Sequence, residues 1–262
     1  MKLIRKILVK ILGLKGYLKF VSRTYIKMIR KGKMQDEYAE LYFVKKIVQN
    51  GDTILDIGAN LAYYSYFMAQ NMGEDGKLIA VEPIPLFADV WKKNMAKYKD
   101  RDIQLFNCAL GSEPQEKVKM SIPIVNGVVR HGLTRIDAGD NEMDSKVSYD
   151  VPMRVGDELV ESTGIKKLDY IKCDVEGYEQ FVIPSLDKTI DHYKPLFQIE
   201  LGGEENRRNV VEYLVKKGYD IFILEDDFLK AIQKNDIFSL NQDFYFIHKD
   251  NLSKTGHLIQ NK

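Results

Sequence analysis

Carboxylates at the ends of apolar runs are the residues of this chain best placed to do chemistry. Asp174 and Glu176 follow the run that closes at Cys173 in "LDYIKCDVEGYEQF", and Glu200 closes the next run, in "FQIELGG". Two apart on an extended chain, Asp174 and Glu176 point to one side. Parallel pairing of the two runs brings Glu200 to the same edge, where ligands of open α/β sheets bind. Such a trio suits two tasks. One carboxylate can take a proton from an alcohol as its oxygen attacks, worth ~10²–10⁴-fold in rate. Alternatively the trio can hold a divalent cation that polarises two acceptor oxygens. We assign Asp174, Glu176 and Glu200 as the catalytic candidates and assign no metal ligand. The four histidines lack paired metal spacing. Glu179 falls in the first turn of the next helix, where a negative charge is favoured, and reads as a cap.

A second group lies upstream, in "TILDIGANLAYYS", Thr53 to Ser65. A buried strand runs into Gly-Ala-Asn and then a helix. A dinucleotide turn wants G-x-G-x-x-G, so that backbone can approach a pyrophosphate. Here the three positions hold Gly58, Asn60 and Tyr63, and two side chains crowd the space, which disfavours NAD. The turn still offers backbone N–H groups to a smaller anion such as a carboxylate. S-adenosyl-L-methionine has an amino-acid end, a ribose and no pyrophosphate. Asp56 and Gly58 suit the amino-acid end, with Ala59 and Asn60 beside them. Glu82, with Pro83 after it in "IAVEP", suits the ribose hydroxyls. The plain alternatives are a turn cap for Asp56 and a solvated strand end for Glu82.

Strands and helices alternate around these groups. Strands are predicted at Thr53–Ile57, Lys77–Val81, Ile103–Ala109, Leu168–Cys173, Pro195–Leu201, Tyr219–Leu224 and Phe244–His248. Helices are predicted at Tyr63–Gln70, Pro85–Tyr98, Tyr178–Thr189 and Glu204–Lys217. The alternation implies a mostly parallel sheet of seven strands, with helices on both faces and an antiparallel terminal strand. Glu225–Gln242 reads as a long connection, and residues 111–167 as an insertion near the binding face with a hairpin and a loop. The organisation is an arm at 1–35, a domain at 36–250 and a tail at 251–262. Cys108 and Cys173 sit inside apolar runs, which points to a reducing compartment, the cytoplasm.

The net charge of +1 conceals an asymmetry: residues 1–35 hold eleven basic residues and no acid, leaving −10 on the rest. Leu3, Ile4, Ile7, Leu8, Ile11, Leu14, Leu18, Val21, Tyr25 and Ile29 recur every three or four residues, the period of an amphipathic helix. Gly13 and Gly16 are expected to divide it. Lys10 interrupts the run, so no span reaches the ~20 residues that cross a bilayer. Two readings remain: an interfacial helix on an anionic membrane, and a cap that packs on the domain. One basic face alone does not point to nucleic acid.

The ordered pieces "DIGANLAYYS" at Asp56–Ser65, "VEP" at Val81–Pro83, "NCALG" at Asn107–Gly111 and "KCDVEGYE" at Lys172–Glu179 resemble the FkbM-type S-adenosylmethionine-dependent methyltransferases. The resemblance covers residues 36–248. It implies a class I methyltransferase (Rossmann-like) fold and O-methyl transfer to a hydroxyl of a glycan, glycolipid or natural product. It also implies that Asp56, Gly58, Asn60 and Glu82 face the cofactor, with Ala109 by the adenine. Arg130, His131 and Thr134 fall where such proteins vary and are candidates for acceptor contact, against ordinary loop polarity. One departure stands out: Ala62 occupies a position where the family usually has glycine. It motivates one rival, a non-catalytic protein that keeps the pocket; a nicotinamide-dependent oxidoreductase is the other.

Overall fold

The computed structural model describes residues 2–125, 128–129, 135–136 and 146–260. Its helices in chain order are α1 (Lys2–Arg30), α2 (Ala39–Ile47), α3 (Tyr63–Asn71), α4 (Pro85–Met95), α5 (Gly156–Ser162), α6 (Glu179–Val182), α7 (Asp187–Tyr193) and α8 (Glu204–Lys216). Its strands are β1 (Thr53–Ile57), β2 (Lys77–Val81), β3 (Asp102–Phe106), β4 (Ala109–Gly111), β5 (Gln115–Val125), β6 (Val128–Val129), β7 (Arg135–Ile136), β8 (Lys146–Val155), β9 (Tyr170–Cys173), β10 (Leu196–Ile199), β11 (Tyr219–Glu225), β12 (Phe228–Ala231) and β13 (Phe244–His248).

The apolar runs form one sheet in the order β12-β11-β13-β10-β9-β1-β2-β3. Strands β3, β2, β1, β9 and β10 pair in parallel, and β13 runs antiparallel to both β10 and β11. β1, β9 and β10 are buried at every position, as expected of strands covered by helices on both faces. The chain moves from β1 outward to β3, then returns to lay β9 on the other side of β1. The order therefore reverses between β1 and β9, and ligands bind at the carboxyl ends beside such a reversal.

The sheet has an eighth strand where a seven-stranded one is expected. Glu225 pairs with Phe228 across Asp226 and Asp227, both at positive φ (47° and 67°). That is a two-residue hairpin turn, in which Asp tolerates the left-handed backbone. The predicted strand Ile103–Ala109 also divides: β3 stays in the main sheet, while β4 joins β8 and β5 in a second one. Pro184 interrupts the predicted helix Tyr178–Thr189 with a 3-10 turn between α6 and α7. Within 111–167, β5 and β8 form a long antiparallel pair, and α5 was not anticipated.

Helix α1 is non-helical at Gly13 (φ 66°, ψ 168°), while Gly16 stays within it. Beyond that bend it packs on the domain. Tyr17, Leu18, Ser22, Ile26 and Ile29 are buried, and the Asn94 amide of α4 donates to Ser22 Oγ and to the Leu61 carbonyl, both at 2.8 Å. Before the bend, Ile7 and Ile11 are 48% and 73% exposed.

Candidate active site

The first turn is built by close approach of two strand ends. Gly58 has φ +80°, and a Cβ there would lie 1.9 Å from the Asp174 carbonyl oxygen. Glycine is therefore required by the neighbouring strand rather than by any phosphate. The N–H groups of Gly58 and Ala59 donate to the Val81 carbonyl at 2.9 and 3.0 Å. Glu82 is 4% exposed and ties the turn together. Its two carboxylate oxygens accept from the backbone N–H groups of Asn60 and Ile84, each at 2.8 Å. Burial pushes the Glu82 carboxyl up to about 8, against the opposing pull of those two N–H groups. Asn107, not singled out from sequence as a site residue, donates to the Glu82 and Pro83 carbonyls at 2.6 and 2.9 Å and fixes the end of β2.

Gly58, Asn60, Glu82, Pro83, Asp174 and Glu176 share one crevice at the reversal point. Phe87 and Met120 wall it, and its volume is about 50 Å³. Asp56 lies one layer deeper, fully buried, and accepts from the Ser65 hydroxyl through Oδ2. Trp91 Nε1 donates to the same hydroxyl at 2.8 Å. Two buried acceptors here, Asp56 Oδ1 and Asn60 Oδ1, have no donor. Ala59 and Ala109 are buried in apolar clusters on either side.

The second wall is the loop after β9. Asp174 N–H donates to the Ile57 carbonyl at 3.0 Å, which locks β9 to β1. Glu179, fully buried, accepts from the N–H groups of Val175 (2.8 Å) and Gly177 (3.3 Å) and from the Asn206 amide (2.6 Å). It shapes the loop that presents Glu176. Glu176 and Glu200 meet in an adjoining open crevice of about 470 Å³. Burial, then repulsion from Asp174 and Glu200, pushes Glu176 up to about 8. Repulsion from Asp174, then burial, pushes Glu200 up to about 7.

A cation holds these acids together. Lys172 is 2% exposed. It shares one face of the sheet with its register neighbours Asp56 and Gln198. Its Nζ donates to Asp174 Oδ2 at 3.2 Å and sits 4.3 Å from the centre of the Tyr64 ring. Gln198 donates to Asp243 Oδ2 at 2.6 Å and accepts from the Tyr170 hydroxyl. Burial pushes Asp56 and Asp243 each up to about 6, with Lys172 pulling back. Burial alone would lower Lys172; Asp174, Asp243, Asp56 and Glu200 outweigh it and raise it.

Among the described residues, no three His, Cys, Asp or Glu side chains are grouped to hold a metal ion. Arg130, His131 and Thr134 lie outside the described residues.

A parallel sheet that reverses beside its first strand, with an antiparallel strand inserted near its edge and an acidic residue ending the second strand, is a class I methyltransferase-like α/β fold. The Methyltransferase FkbM domain family matches residues 56–222. The chain belongs to that family, as the four motifs imply. Methyltransferase sdnD of Sordaria araneosa is 26% identical over 199 residues, covering 64% of this chain and 73% of its own length. Methyltransferase 1 of Beauveria bassiana (strain ARSEF 2860) is 26% identical over 149 residues, 51% of this chain; the chain spans 58% of that relative. The crystal structure of methyltransferase FkbM from Methylobacillus flagellatus KT is 14% identical with a TM-score of 0.48, over 74% of this chain and 43% of that one.

Proposed function

We propose that the protein transfers a methyl group from S-adenosyl-L-methionine to a hydroxyl of a glycan, glycolipid or natural-product acceptor. The observation that carries this reading is the joining of Asp174 and Glu176 to Gly58, Asn60 and Glu82 in one crevice. The two buried acceptors without donors, Asp56 Oδ1 and Asn60 Oδ1, fit a ligand that brings N–H and O–H groups. Asn60 would hold its ammonium end, with the buried Asp56 carboxylate behind it, and Glu82 its ribose. When bound, the cofactor supplies an electrophilic methyl whose bond to sulfur breaks as the bond to oxygen forms.

The remaining work falls to the chain's own side chains. Burial and the neighbouring acids push Glu176 up to about 8, so the carboxylate that would take the hydroxyl proton becomes the major form only above that pH, and activity should rise as pH passes through it. Asp174, anchored by Lys172, orients the hydroxyl. Glu200, which lines the adjoining crevice with Glu176, would face the acceptor. Helix α1, basic and amphipathic, would bring the protein to acceptors carried at a membrane surface.

Isothermal titration with S-adenosyl-L-methionine, followed by a screen of hydroxylated acceptors for the demethylated product, tests the assignment. Glu176→Gln is expected to retain cofactor affinity and to lose ~10²–10⁴-fold in kcat. No cofactor binding by the intact chain, or full activity in Glu176→Gln, would refute it.

A further inference from the structure

A cleft of about 420 Å³ opens between α1 and α4, far along the sequence from the acidic strand ends. Arg23, Lys27 and Arg30 line it from α1, and Lys93 and Lys97 from α4 and the turn after it. No acidic residue lines it. All five cations are exposed, and none has an ion-pair partner among the described residues. Buried Tyr66 forms the floor, with Arg30 and Lys97 each 6.0 Å from its ring centre. Five like charges around one hollow repel one another, and an anion seated among them relieves that repulsion.

The same helix says which anion. Phe20, Arg23, Lys27 and Arg30 follow at spacings of three, four and three, so they form one stripe. Phe20 is 51% exposed. Toward the start of α1, Ile7, Ile11 and Leu12 are 48%, 73% and 43% exposed. A phosphodiester chain makes no use of exposed aliphatic side chains, whereas the acyl boundary of a bilayer does. Basic residues on such a helix add attraction to anionic lipid. No described helix is long and apolar enough to cross a membrane.

We propose that α1 docks the protein on an anionic membrane surface, and that the cleft between α1 and α4 seats a lipid headgroup phosphate. The proposal rests on the interfacial reading of α1 and adds to it a defined phosphate site. The exposed aliphatic residues enter the headgroup boundary, and the cleft supplies lipid selectivity.

Flotation of the full chain with vesicles of phosphatidylcholine, alone or mixed with phosphatidylglycerol, tests it without cofactor or acceptor. Binding is expected only with the anionic vesicles. Each basic residue near the surface contributes about five-fold, so Arg23→Gln/Lys27→Gln/Arg30→Gln should weaken binding about 100-fold. Lys93→Gln/Lys97→Gln, on the opposite wall, should weaken it about 25-fold. Unchanged melting temperatures would exclude misfolding, and the second variant keeps the test valid if the first misfolds. If the intact chain floats and both variants float equally well, the phosphate site is wrong while the interfacial helix stands. If the intact chain ignores anionic vesicles, both fall. Release from vesicles by inorganic phosphate at constant ionic strength would assign the cleft to a soluble anion and overturn the lipid assignment. Tighter binding to single-stranded RNA than to vesicles at the same salt would overturn it as well.

Discussion

Lys172→Met is the most informative single change in this protein. Methionine keeps the length and adapts to irregular cores, so the variant removes charge more than volume. It strips Asp174, Asp56 and Asp243 of the cation that all three feel. Removing one partner of a buried pair costs about 3–5 kcal/mol, because the other charge is left uncompensated. A chain of this size melts ~2–4 °C lower per kcal/mol, so the expected drop at pH 8 is roughly 6–20 °C. The pH dependence separates electrostatics from packing. Burial holds Asp56 and Asp243 at about 6, above their ordinary 3.8. An acid raised on folding contributes stability that is fully present below its unfolded pKa and is lost as pH rises through the folded one. From these two acids the wild type should therefore lose stability between about pH 4 and pH 6. Without Lys172 these acids rise further, and the loss continues to higher pH. At pH 5 they are mostly protonated in the fold, so the variant lies closest to the wild type there. Thermal melts at pH 5 and pH 8, followed by circular dichroism, measure the gap at each. A deficit equal at both pH values would refute the account and leave only a packing change.

Two further substitutions probe the cofactor side. Glu82→Ala removes the acceptor of two backbone N–H groups. Losing the carboxyl assigned to the ribose leaves a polar group of the bound cofactor unpaired, at about 1–3 kcal/mol, so titration should show cofactor affinity reduced ~5–100-fold; unchanged affinity would sever Glu82 from the site. Ser65→Ala orphans Asp56 Oδ2 and Trp91 Nε1 together. Each buried group left unpaired costs ~1–3 kcal/mol, so the unfolding free energy measured by urea titration should fall by a total of ~2–6 kcal/mol. Trp91 is the sole tryptophan, and its emission should shift in the folded variant.

The sheet was legible because strand ends carry their own punctuation. Apolar runs stop at Asp56–Gly58, Glu82 and Asp174, and the switch from a strand period to a helical one follows each of them. The same punctuation exposed the acids of the crevice. Partners far apart in sequence were not legible. Lys172 meets Asp56, Gln198 and Asp243 only because β1, β9, β10 and β13 lie side by side in that order. One signal was available: Lys172 and Gln198 are polar residues inside strands whose other members are Tyr170, Ile171, Cys173, Leu196, Phe197 and Ile199. Polar positions inside a doubly covered strand need partners. Strand β12 escaped because Asp226 and Asp227 resemble a solvated charge pair until their left-handed backbone is seen.

That left-handed backbone also explains the departure at Ala62. Asn60, Ala62 and Glu176 have φ values of 48°, 73° and 56°. Such conformations gather at functional sites when the surroundings enforce them. Glycine suits the position of Ala62 because alanine there costs ~1–2 kcal/mol. Two effects oppose that cost. The Ala62 methyl is fully buried and contributes ~0.8 kcal/mol, and alanine loses less chain entropy than glycine on folding, worth ~0.4–1 kcal/mol. The opposing terms nearly cancel, so alanine is tolerated here at little net cost. Ala62 does not line the crevice shared by Gly58, Asn60 and Glu82. Its N–H donates to the Ala59 carbonyl at 2.9 Å and its carbonyl accepts from Tyr66 at 3.0 Å, both within the turn and α3. The substitution therefore acts on the start of a helix, and it gives no physical ground for a pocket that binds without turning over.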